Sequence, residues 1–185
     1  MCIPAKCLAL LVAVAAISSA TTLQKLGMDQ MIRESTGIER AKVLGSYAAP
    51  LGKDIYTYYQ LEVLEALKGA AQREIAVPGG ASGGYRQVVP GAPELSKGQE
   101  YVVFYWTSKT GLTQLLGLSQ GLFSERADVA GNPMLVRPAS TETMLNKDGK
   151  PIQDKPESLR LSDLRARVRV ALSGKGDAKS EGARK

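Results

Sequence analysis

Apolar and polar positions alternate along most of this chain, and settle into helical spacing only near its two ends. The most apolar stretch beyond residue 20 is 99–106 (QEYVVFYW), whose β-branched and aromatic side chains suit a pleated, buried surface. Lys97-Gly98 introduces it with a turn. A long strand is expected over 55–67, where Tyr59, Leu61 and Val63 alternate with Tyr58, Gln60 and Glu62. Its second half (LEVLEAL) also fits a helical period, but the tyrosine and threonine run before it favours a strand. Upstream, 38–47 predicts a first strand with Ile38, Val43 and Leu44 toward the core and Gly45 at a bend or bulge, and 48–54 reads as a loop.

Shorter elements fill the rest. Residues 74–77 form a brief strand stopped by Pro78, 79–84 a glycine-rich turn, and 85–89 a return strand. Lys109-Thr110-Gly111 makes a tight turn into a partner strand over 112–118, followed by another short strand drawn from 122–123 and 127–129 and a last hairpin arm at 134–136. The polar stretch 138–156 reads as a surface loop or a partly ordered lead-in. At the ends, Thr22 is placed to cap a short helix carrying Leu23, Leu26, Met31 and Ile32, although Gly27 weakens it. Ser162 is placed to cap a helix whose Leu161, Leu164, Val168 and Leu172 oppose Arg165 and Arg169. Strands at short intervals with glycine and proline turns predict a mainly β fold, an antiparallel barrel or sandwich flanked by N-terminal and C-terminal helices.

Composition changes this picture first at the N-terminus. Residues 1–20 (MCIPAKCLALLVAVAAISSA) carry Lys6 as their only charge, then an apolar run and small residues: a signal peptide, with a run far shorter than the roughly 20 apolar residues that cross a bilayer. The expected organisation is leader 1–20, β domain 21–158, packed helix 159–173 and a disordered basic tail 174–185. Both cysteines, Cys2 and Cys7, fall in the leader, and the chain has no histidine. The usual zinc sets and the Cys-His and Ser-His-Asp systems each need an imidazole or a thiolate, so the mature chain lacks their parts. The net charge of +6 is concentrated at the C-terminus, because 21–158 carries 15 Lys and Arg against 15 Asp and Glu. A neutral body argues against a nucleic-acid reader.

Candidate chemistry is sparse. The glycines of 79–84 lack the lysine and Ser/Thr of a phosphate loop, and Lys109-Thr110-Gly111 has no accompanying S-x-x-K serine. Asn146-Lys147-Asp148-Gly149 fits a turn better than a calcium loop. Glu62, Glu65 and Glu100 could pair as acid and base for glycoside cleavage, but solvent-facing strand positions explain them with less assumption. No catalytic, cofactor-binding or metal-ligating residue is assigned. The aromatic set Tyr56, Tyr58, Tyr59, Tyr85, Tyr101, Tyr105 and Trp106 is the most informative: on a barrel face such residues stack on sugar or engage a protein, and otherwise they fill a core. Tyr105 and Trp106 face opposite ways in a strand, so Tyr105, Trp106 and Tyr85 are the binding candidates.

In order along the chain, Ile55-Tyr56-Thr57, Leu67-Lys68-Gly69, Val77-Pro78-Gly79-Gly80, Pro90-Gly91-Ala92-Pro93, Gly98-Gln99-Glu100-Tyr101-Val102-Val103-Phe104 and Gly117-Leu118-Ser119-Gln120-Gly121 resemble an uncharacterised family of secreted bacterial proteins. That resemblance covers roughly residues 23–172 and implies an exported domain with no established reaction. More remotely, the lysine-glycine turn and glycine-glutamine-glutamate-tyrosine strand are similar to the netrin-like, OB-barrel domain of metalloproteinase inhibitors, which implies an OB-like barrel. Those inhibitors use disulfides and an N-terminal cysteine, which the mature chain lacks, so no inhibitory residue carries over. The expected role is an exported, non-enzymatic binding domain, secreted or periplasmic, without stable membrane insertion after leader cleavage. Its partner would be a protein or envelope component. A carboxylate-dependent glycan hydrolase and a protease-inhibitor-like module are the alternatives.

Overall fold

The computed structural model describes residues 22–180, with side chains to 173. The signal peptide expected over 1–20 lies outside the described residues, as do 181–185 and the side chains of 174–180, on which the expected disordered tail falls. In chain order the elements are β1 (Thr22–Gln24), α1 (Met28–Glu34), β2 (Gly37–Leu51), β3 (Asp54–Lys68), β4 (Glu74–Pro78), β5 (Gly80–Ser82), β6 (Tyr85–Gln87), β7 (Glu100–Thr107), β8 (Thr113–Leu115), β9 (Leu122–Ala127), β10 (Pro133–Arg137), β11 (Thr143–Leu145), β12 (Pro151–Ile152), β13 (Glu157–Arg160) and α2 (Leu161–Ser180).

The fold is mainly β, with one helix near each end. Residues 54–68 form a strand throughout, so the tyrosine and threonine run does outweigh the helical reading of LEVLEAL. Residues 48–51, expected in a loop, instead extend β2 and pair with β3 up to a turn at Gly52-Lys53. Pro50 is tolerated there because β7 pairs only with Gly37 through Lys42, leaving the far half of β2 an edge. A register shift between Val43 and Gly45 supplies the expected bulge, and it turns Leu44 outward, 49 % exposed, rather than into the core.

Five strands close on themselves. β7 pairs with β2, β2 with β3, β3 with β4, β4 with β8, and β8 returns to β7. All these pairings are antiparallel except β4 with β8, which rests on the single register pair Ala76 and Gln114. Beyond β7 the sheet continues through β9, β10 and β13.

Strand parity gives this ring two cores. Inward positions of β7 (Tyr101, Val103, Tyr105) meet Ala41, Val43, Tyr59, Leu61, Ile75, Val77 and Leu115 inside the barrel. Outward positions Val102 and Phe104 join Ile38, Phe123 and Leu135 beneath Met31 and Ile32 of α1 and Leu161, Leu164 and Val168 of α2. Burying each such side chain contributes about 1.5–3 kcal/mol, so both faces of β7 are anchored.

The helix ends differ from expectation in detail. Thr22 belongs to β1, and Gly27, in extended conformation, is the N-cap of α1. Ser162 lies one residue inside α2, where its hydroxyl bonds the Asp163 carboxylate at 3.3 Å.

The largest departure is 138–156. It contributes β11 and β12, which with β1 make a separate three-stranded sheet over a fully buried Met144. Charge holds this annex to the β10 and β13 end of the sheet. Arg137 Nη1 lies 2.8 Å from Asp154 Oδ2 and Nη2 lies 3.0 Å from Glu157 Oε1; Lys25 from the N-terminal strand region pairs with both carboxylates, and the Ser140 amide donates to Asp154. Burial alone would raise the Asp154 carboxyl, but the Arg137, Lys25 and Ser140 hydrogen bonds outweigh it and hold it far below the ordinary carboxylate range.

Candidate binding face

The tyrosines divide between the two sides of the barrel wall. Tyr59 and Tyr101 are buried inside it. Tyr105 is also a core residue, 1 % exposed, rather than a residue open to a partner. Its hydroxyl donates to the Ala70 carbonyl at 2.5 Å, and its ring lies so close to Gly37 that a Cβ there would sit 2.1 Å from the phenolic oxygen. Burial pushes this hydroxyl up to about 12, with the Glu39 carboxyl adding to the effect.

On the outer surface, the strand register assembles a row that the linear sequence scatters. Tyr47 is opposite Tyr58, Tyr58 opposite Ala76, Ala76 opposite Gln114, and Gln114 opposite Trp106. These residues cross β2, β3, β4, β8 and β7 at about 4.8 Å per step. Tyr47 and Tyr58 stack, with centroids 5.1 Å apart and planes 13° apart, and Tyr56 tilts against Tyr58 at 6.5 Å. Tyr47 is 46 % exposed and Trp106 39 %, while Ala76 is buried between them in the row.

Polar side chains are interleaved with the rings. Gly45, Gln60 and Glu74 occupy the adjacent row, and Glu74 Oε2 accepts the Tyr47 hydroxyl at 3.0 Å. That hydrogen bond to a carboxylate raises the Tyr47 pKa. Trp106 thus lies in one row with Tyr47, which was not among the sequence candidates. The signal for Tyr47 was its register against Tyr58, which becomes visible only once 48–51 is recognised as strand.

Tyr85 stands apart from this row. It is 78 % exposed at the tip of the β5–β6 hairpin, beside Gly83 and Gly84, whose positive φ of 59° and 81° suits a two-residue hairpin turn. That hairpin is tied to the barrel by Gln87, whose Oε1 accepts the Ile55 amide at 2.6 Å, and by Thr57, whose hydroxyl donates to the Gly79 carbonyl at 2.8 Å. Between hairpin and barrel lies a cavity of about 380 Å³ lined by Thr57, Tyr59, Val77, Arg86, Val89 and Glu94.

No protein-family model and no curated protein matches this chain. Its chemistry rests on geometry alone.

The structure does not bring Glu62, Glu65 and Glu100 together as an acid–base pair. Arg165 of α2 holds Glu65 through two bonds of 2.8 and 2.6 Å, and these lower its pKa; Arg40 clamps Glu100 and Glu125; Glu62 is exposed. Among the described residues no group of three or more acidic side chains is arranged to hold a metal ion. The carboxylate that sequence reading missed is Glu39, inward on β2 and fully buried. Its Oε2 accepts the Gln72 amide at 2.9 Å and its Oε1 accepts no hydrogen bond. Desolvation raises it to about 7, against the partial opposition of the Gln72 bond. With Tyr105 it stitches residues 70–72, between β3 and β4, over one end of the barrel.

Proposed function

We propose that this chain is an exported, non-enzymatic binding domain that holds a protein or envelope component against the outer row of Tyr47, Tyr58 and Trp106. The observation that carries this reading is the Tyr47–Tyr58 stack, exposed at Tyr47 and half-buried at Tyr58, on a barrel that already has its own aromatic core. Aromatic side chains of this kind anchor interfaces because they bury large area with few rotors. Export rests on the leader expected over 1–20 and on the resemblance to secreted bacterial proteins. Among the described residues no helix is long and apolar enough to cross a membrane.

We also read the five-stranded ring as an OB-like barrel, a fold class whose outer strand faces serve as ligand platforms. Its strand order and its one parallel pair support that reading.

Affinity capture from an envelope extract with the leader-free chain (21–185) tests the proposal. Tyr58→Ala combined with Trp106→Ala should reduce specific capture at least about tenfold, as loss of interface anchors does, whereas Tyr85→Ala should leave it unchanged. Equal capture by all three proteins would remove the aromatic row as the binding face.

A further inference from the structure

We infer that the occupant of this aromatic row is an uncharged polysaccharide chain laid across the strands from Tyr47 to Trp106, an inference that rests on the row being the binding face. Three observations point to that chemistry.

The first is the alternation of rings and hydrogen-bonding groups. Sugar rings present apolar C–H faces that stack on aromatic planes, and hydroxyls at their edges that both donate and accept. The Tyr47–Tyr58 stack and Trp106 supply the planes. Gln60, Glu74 and Gln114 supply amide and carboxylate groups beside and between them. The apolar centre of a protein interface would desolvate the Gln114 amide and leave the Glu74 carboxylate with the Tyr47 hydroxyl alone, which is costly; sugar hydroxyls satisfy both.

The second is charge. Glu74 is the one charged side chain among Tyr47, Tyr58, Ala76, Gln114, Trp106, Gln60 and Glu74, and the next charges along the β2–β3 ladder, Lys42 and Glu62, stand opposite each other. Among the described residues that make up these two rows no basic side chain is present to attract a phosphate backbone or an anionic lipid surface.

The third is length. Tyr58 and Trp106 are separated by three strand spacings, roughly 14 Å, so a single sugar reaches one platform and only a chain reaches both.

Trp106 is the only tryptophan in the chain, so its fluorescence reports directly on the site. The leader-free chain is titrated with laminarin, xylan, mannan and dextran, with the monosaccharide of each, with polyphosphate, and with deglycosylated envelope protein. At least one neutral polysaccharide should shift Trp106 emission saturably and independently of salt, its monosaccharide should not, and affinity should rise with chain length. Tyr58→Ala should weaken that binding about tenfold, while Tyr58→Phe, which keeps the ring plane and the packing, should retain it within about threefold. A response confined to polyphosphate and lost with salt, or confined to envelope protein, overturns the polysaccharide assignment and leaves the row standing as a binding face. No response to any probe, with emission alike in the parent and in Tyr58→Ala, overturns both.

Discussion

Glu39 shows how much a single residue can carry in a barrel of this size. The ordinary glutamate value of 4.5 is raised to about 7 in the folded chain, so between those two values the native state keeps a proton that the unfolded state has lost. Stability from this group is therefore fully present below pH 4.5, declines as pH rises to 7, and stays lower above it. Asp154 acts in the opposite direction: its depressed pKa stabilises the fold above the ordinary aspartate value of 3.8, and that contribution is lost as pH falls below it. Thermal melts should accordingly peak near pH 4 to 5. Glu39→Gln should flatten the decline between pH 5 and 8 and raise stability at pH 8, by up to about 3 kcal/mol. An unchanged slope in the variant would remove Glu39 as its source. The inward and outward fates of Tyr105 and Trp106 follow from strand parity and were legible in QEYVVFYW. Glu39 was not, because an acid in IERAKV reads as solvent-facing until Val103 and Ala66 are found on either side of it.

Elements were legible in proportion to how apolar they are. β3 and β7 announce themselves by alternation, and the stripe Leu161, Leu164, Val168 identifies the buried side of α2. The 138–156 annex did not, since beside the single buried Met144 it is ion pairs that fasten it. Residues 48–51 were read as loop because two alanines and a proline carry no strand signature of their own; their pairing with β3 supplies it. The Arg137 cluster makes a sharp prediction for the annex. Asp154→Asn leaves the buried Arg137 guanidinium with Glu157 as its remaining countercharge and should cost about 3 kcal/mol, measured by denaturant unfolding. Replacing both partners, Arg137→Met with Asp154→Leu, should recover most of that loss. If the single and double variants are equally destabilised, the pair is not what fastens the annex.

For the molecule as a whole, the mainly β character was readable while the closure of the strands was not. Ala76 and Gln114 are far apart in sequence and meet in parallel, and no local pattern encodes such a contact. Between β4 and β8 the wall holds by that one pair, whereas β7 and β8 share three. A cylinder joined so thinly breathes at its seam before it unfolds elsewhere. Amides of Gln114 and Leu115 should therefore exchange with deuterium faster than those of Val102 and Val103. The aromatic row crosses this same seam, so a chain bridging Tyr58 and Trp106 would act as a suture. Occupancy should be readable as slowed exchange in β8, and the protein would grip its partner by finishing its own wall.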